Sequence, residues 1–355
     1  MSRIYKTILP QSVRDSYGEN ENISFVLSFA GQRIKQGSLR LCGNLTVSNL
    51  GDTSVSYDAL TGVHSLWSSV VVESEKRGVI ENLQALPRYI HMQSETLRDD
   101  TDVLSNSDQT TSLTLARDDQ TTKFLGGVVK RNDLPFSCKL QCCLNKSSGD
   151  ISFARNGVIT LSIRTASKNQ FLTNAGATSE YSLSDVMLMY QTEPEKGGSA
   201  PVSASTYHMV KHTISSGSSS VQTRVPAVCE SVSCSFVQAG RENSNDYNNN
   251  ECSVLPGVSR VQWEFNDSMS MVKYDMTERD EILYNYLRSM GVSDFNNVRV
   301  NTLVNESKTY GVGLNFYAGI NLLKEKIVMI IIIMNVLSFL VLVEFNGSSM
   351  TLCQW

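Results

Sequence analysis

A chain of 355 residues, 41% of them hydrophobic and 19% charged, can bury a sizeable core and is not globally disordered. The length suits two ordinary domains or one elaborated sheet domain. A formal net charge of −4 excludes a nucleic-acid binder that works by overall basicity, so no specific nucleic-acid partner is expected.

Residues 1–21 are polar and predict a flexible N-terminal arm that could order on a partner. Sheet character begins with Ile23-Ser24-Phe25-Val26-Leu27 and resumes over residues 38–47, where Leu39, Leu41, Leu45 and Val47 share a face. Gly43 falls on that same face, the usual place of a bulge or of a closely packed neighbour. Residues 68–73 and 76–83 continue as strands, with a turn at Arg77-Gly78. Residues 93–122 are charged and hydroxyl-rich and read as an exposed excursion bracketed by Asp99-Asp100 and Asp118-Asp119.

The strongest pattern lies between residues 134 and 190. Ile159, Leu161 and Ile163 alternate with Thr160, Ser162 and Arg164, the period of a strand with one face in a core. Residues 136–144 alternate in the same way before the turn-rich stretch 145–150. Residues 181–190 start in that rhythm and end as a more buried run. Gly and Pro then cluster over residues 192–201 without periodicity and mark a linker.

Beyond the linker, residues 207–214, 227–237, 258–265 and 311–318 read as strands, and residues 240–252 as a solvated loop tip. Residues 278–290 form the one convincing helix: Ile282, Leu283, Tyr286, Leu287 and Met290 share a side, with Thr277 as cap and Gly291 as stop. The expected fold is therefore all-β: a jelly-roll β-sandwich over 22–192, a linker over 193–203, and a second β-rich region over 204–355 with one short helix near 278–290. No internal repeat stands out along the sequence.

Residues 327–343 are almost continuously apolar, with Ile330-Ile331-Ile332-Ile333 and Phe339-Leu340-Val341-Leu342-Val343 broken by Asn335 and Ser338. One reading is a membrane anchor at the lower limit of spanning length. The other is two buried strands, favoured by the Ile and Val content, and a strand hairpin over 324–345 is the expectation adopted.

Of the eight cysteines, Cys42, Cys138, Cys142 and Cys143 lie in apolar strand-like runs, and none forms a CxxC pair. The first residues lack an apolar leader, so synthesis inside a reducing cell, without secretion, is expected. His208 and His212 on a strand would stand roughly 13 Å apart, too far to share one ion. His64 and His91 read as packed histidines, and no nucleophile, phosphate-loop or zinc-protease motif is present. No catalytic, cofactor-binding or metal-binding residue is assigned, and the chain is not expected to be an enzyme.

Several stretches, taken in order, resemble the penton, or vertex, proteins of icosahedral DNA viruses of the polinton, adintovirus and virophage kind. They are Gln36-Gly37-Ser38-Leu39-Arg40-Leu41-Cys42-Gly43, Gly62-Val63-His64-Ser65-Leu66-Trp67, and residues 80–89, 134–137, 153–159, 181–186 and 261–267. The likeness spans residues 23–320. It implies a jelly-roll capsid subunit in the virion, a homopentamer at fivefold vertices that touches neighbouring major capsid proteins. A double-jelly-roll major capsid protein, forming trimers, is the rival within that class. From other classes come a membrane-anchored β-sandwich module and a carbohydrate-active β-sandwich enzyme with paired carboxylates.

Overall fold

The computed structural model describes residues 4–48, 56–57, 61–97, 127–128, 134–173, 178–195, 202–204, 206–214, 220–224, 229–238, 261–266, 271–291, 317–322, 329–334, 339–346 and 350–351. The first part of the chain forms β1 (Ile4–Ile8), β2 (Asn22–Leu27), β3 (Gln32–Ile34), β4 (Arg40–Ser48), β5 (Ser56–Tyr57), β6 (Trp67–Ser74), β7 (Gly78–Gln84), β8 (Gly127–Val128), β9 (Leu134–Cys138), β10 (Ile151–Ser152), β11 (Ile159–Thr165), β12 (Leu172–Thr173) and β13 (Glu180–Pro194). One sheet runs β1-β13-β4-β9, with β3 and β10 added at the far end of β13; the other runs β2-β11-β6-β7. Trp67 of one sheet packs against Phe136 of the other, ring centres 5.8 Å apart, and fills the space between them.

The second part forms β14 (Ser203–Ala204), β15 (Tyr207–Ile214), β16 (Ser220–Arg224), β17 (Ser231–Gln238), β18 (Val261–Asn266), β19 (Met271–Met276), β20 (Tyr317–Asn321), β21 (Met329–Met334), β22 (Phe339–Asn346) and β23 (Met350–Thr351). Its two main sheets run β15-β22-β17-β20 and β16-β21-β18-β19.

The two sandwiches share one strand order. The eight main strands of the first are β1, β2, β4, β6, β7, β9, β11 and β13; those of the second are β15 to β22. In each, one sheet reads first-eighth-third-sixth and the other second-seventh-fourth-fifth, with every pair antiparallel. That is the jelly-roll connection, made twice. Each fifth strand also leads directly into a helix, Leu86–Leu97 after β7 and Arg279–Ser289 after β19.

Local chemistry explains the strands. In β11 Ile159, Leu161 and Ile163 are buried while Arg164 is exposed, as the period of two requires. β13 is subtler: Tyr181 and Leu183 face the core, and so do Val186, Leu188 and Tyr190, although the parity has changed. A bulge between Ser184 and Met187 inserts the extra residue, with Asp185 at φ 50 and its carboxylate accepting from Asn44 Nδ2 at 3.0 Å. Gly43 lies opposite that bulge. A Cβ there would come within 2.8 Å of the Phe136 ring and 3.0 Å of the Ser184 carbonyl oxygen, so only glycine fits.

Several expectations need correction. The N-terminal arm is sheet in part, because β1 pairs with β13 from Ile4↔Thr192 to Ile8↔Leu188 and is the first strand of the jelly roll. Five residues with one face outward leave little apolar signal. The helix near 278–290 is joined by Leu86–Leu97 and by short helical turns such as Cys143–Lys146, which takes the last two residues of the strand expected at 136–144, while β9 already ends at Cys138. Glu278, not Thr277, occupies the N-cap of Arg279–Ser289, while Gly291 follows the helix at φ 82.

The apolar C-terminal run makes two strands but no hairpin. β21 lies between β16 and β18 in one sheet, and β22 lies between β15 and β17 in the other. A jelly roll sends its seventh and eighth strands to opposite sheets, so the chain crosses the sandwich between them. Among the described residues no helix is long and apolar enough to cross a membrane. The loop tip expected at 240–252 and the acidic pairs at 99–100 and 118–119 lie outside the described residues.

Candidate functional site

The residues with the most unusual surroundings gather where the two sandwiches meet. There β7, an edge strand of the first, lies beside β15, an edge strand of the second. Glu81 of β7 is buried, and its carboxylate accepts the Cys143 backbone N–H at 2.6 Å and the Thr206 hydroxyl at 2.7 Å. Cys143 opens the turn Cys143–Lys146 and Thr206 immediately precedes β15, so one carboxylate ties three segments together.

Aromatic packing continues the contact. Tyr89, from the helix after β7, stacks on Tyr207, the first residue of β15, with ring centres 3.8 Å apart. The Lys146 ammonium sits 5.3 Å from the Tyr89 ring centre, and the Tyr207 hydroxyl donates to the Gln84 carbonyl at 3.3 Å. Backbone pairing closes one margin: Ser148 N–H donates to the Ser203 carbonyl at 2.7 Å, and Ser147 bridges to Ala204. At the other margin the hydroxyls of Thr96 and Tyr286 meet at 2.7 Å and link the two helices.

Burial dominates the electrostatics. It raises the Glu81 carboxyl above its ordinary value, opposed by the hydrogen bonds from Cys143 and Thr206. It lowers the Lys146 ammonium, opposed by the attraction of Glu81. The Cys142 thiol is pushed up to about 12 and that of Cys143 well above its ordinary value, so neither supplies a thiolate at neutral pH. The arrangement is a clamp: a buried carboxylate that accepts two hydrogen bonds, flanked by a ring stack, with no activated nucleophile among these groups.

Elsewhere the residues weighed in the sequence are dispersed. His208 and His212 both lie on β15, opposite Phe345 and Val341 of β22, and burial lowers the His212 pKa. His64 is buried in the turn Gly62–Leu66, and His91 is buried in the helix after β7. Among the described residues no three His, Cys, Asp or Glu side chains gather in a way that could hold a metal ion. Cys138 and Cys229 are buried thiols, each pushed up to about 12 by burial. Glu81 carried no functional assignment in the sequence. The available signal was a carboxylate inside the apolar strand Gly78–Gln84, a placement that needs a partner.

No protein-family model matches the sequence, and no curated protein matches it significantly. Solved structures do match the fold. The mavirus major capsid protein is similar over 96% of this chain and 86% of its own, at a TM-score of 0.56 and 9% identity. A chain of the Sputnik virophage cryo-EM structure is similar over 98% and 86%, at 0.58 and 11%. The Faustovirus major capsid protein is similar over 98% and 90%, at 0.51 and 9%. The chain thus has the antiparallel jelly-roll architecture of these viral capsid proteins.

Proposed function

We propose that the chain is a structural subunit of an icosahedral capsid of the DNA-virus type, made inside the host cell and located in the virion. The observation that carries this reading is the doubled jelly roll: two sandwiches whose eight main strands follow the same order, held edge to edge by a buried clamp. A shell needs rigid blocks with flat flanks, and each sandwich is such a block. The fold-level likeness to major capsid proteins supports the reading by analogy.

Within that class the sequence resemblance pointed to a pentameric vertex protein, whereas the doubled roll favours a trimeric capsomer. Three copies of a two-sandwich chain place six like blocks around an axis, which suits a hexagonal lattice site. Five copies would place ten. Light scattering after size exclusion in detergent-free buffer tests this. A mass of three chains is expected; five chains would restore the vertex reading, and a species soluble only in detergent would overturn both.

A further inference from the structure

We propose that Cys42, Met187 and Met189 form a binding site for a soft monovalent metal ion, Cu(I), on the outward face of the sheet β1-β13-β4-β9. The three residues come together from two strands. Cys42 of β4 stands opposite Met187 of β13 in register, and its Sγ lies 3.8 Å from the Sδ of Met189. Leu41 on one strand and Val186, Leu188 and Tyr190 on the other are buried, so the sulfur-bearing residues that alternate with them face away from the core. Among the described cysteines only Cys42 is not buried, and Met189 is 36% exposed, so an ion can reach the pair from solvent.

The bulge in β13 creates this face. Without the residue inserted between Ser184 and Met187, the parity set by Tyr181 and Leu183 would continue and turn Met187 and Met189 into the core. With it, two flexible thioethers stand outside, beside a thiol. Thiolate and thioether sulfurs are soft donors that select Cu(I), whereas carboxylate and carbonyl oxygens suit harder ions. The spacing fits a shared ion. Two sulfurs held by one trigonal ion at a metal–sulfur length of about 2.3 Å lie on the order of 4 Å apart, and the observed separation is 3.8 Å.

Charge selects the ion as well. As the copper–sulfur bond forms, the Cys42 thiol proton leaves to solvent, and copper is Cu(I) before and after. One thiolate balances one monovalent cation, so the complex with two neutral thioethers carries no net charge. A divalent ion such as Zn(II) would keep a positive charge beside Arg40, which pairs with Met189 in register. Arg40 Nε donates to Ser137 Oγ at 3.0 Å, and that oxygen lies 3.4 Å from Cys42 Sγ, which fixes the thiol side of the site. The bound ion would tie β4 to β13 where the bulge interrupts their ladder.

The purified full-length chain, kept anaerobic with ascorbate, would be titrated with Cu(I) in competition with bathocuproine disulfonate. Cys42→Ser should bind one equivalent fewer than the unsubstituted chain. The double variant Met187→Leu, Met189→Leu should hold that equivalent at least about tenfold more weakly, with the copper-free thermal midpoint unchanged because leucine replaces methionine at nearly equal volume. A second measurement needs no variant: Cu(I) should protect Cys42 from iodoacetamide in the unsubstituted chain, mapped by mass spectrometry, and Zn(II) at the same concentration should not. Undiminished alkylation of Cys42 in the presence of Cu(I), or a Cys42→Ser chain that binds as many equivalents as before, overturns the site. A double methionine variant that holds copper as tightly reduces it to a thiol acting alone and overturns it too. Equal protection by Zn(II) overturns the choice of a soft monovalent ion.

Discussion

Glu81 concentrates the cost of joining the two sandwiches. Its carboxylate is buried, serves donors from two other segments, and attracts the half-buried Lys146 ammonium. Glu81→Ala should destabilise the chain by about 2 kcal/mol, because it strands the Cys143 N–H and the Thr206 hydroxyl, as urea unfolding would measure. The pH dependence has a definite sign. Burial raises the folded carboxyl above its ordinary 4.5, so the folded chain holds a proton that the unfolded chain has released. This contribution to stability is full below pH 4.5 and lost as pH rises through the raised value. The Lys146 shift acts oppositely in an alkaline window below its ordinary 10.5, where stability rises with pH. Urea midpoints measured from pH 4.5 to neutrality should therefore fall, and Glu81→Gln should flatten that slope. The sequence showed only a carboxylate inside an apolar strand and not its partners, since Thr206 and Cys143 lie 125 and 62 residues from Glu81.

At the scale of elements, the sequence is most legible where burial is one-sided and regular. β11 follows its alternation residue by residue. β13 does not, because the bulge at Asp185 reverses parity halfway along and turns a clean alternation into an apparently continuous buried run. Gly43 was readable as a marker of close approach, although not of which strand carried the extra residue. β1 was missed because an edge strand of five residues, with Tyr5 and Thr7 outward, has almost no apolar face of its own. Yet it covers the edge of β13 from Leu188 to Thr192. Deleting residues 1–9 should therefore lower the thermal midpoint and expose the amides of β13 to hydrogen exchange, whereas loss of a mobile arm would change neither.

At the scale of the molecule, the repeat is one of topology without visible repetition of sequence. A jelly roll fixes which strands neighbour which but needs only an apolar inward face from each, so two copies can diverge until no side-chain pattern is shared. The apolar C-terminal run misled for a related reason: adjacent strands usually pair, and this fold sends them to opposite sheets. The seam predicts that the two sandwiches hold together when the chain between them is cut. A chain cleaved within residues 196–201 should still elute as one particle, and Glu81→Ala should let the pieces separate more readily. The placement of β21 and β22 also sets an order in time. Each is flanked on both edges, so neither sheet of the second sandwich is continuous until residues 329–346 have left the ribosome. The first sandwich can mature while the second waits for its keystones, and a nascent chain stalled before them cannot offer a finished second block to any partner.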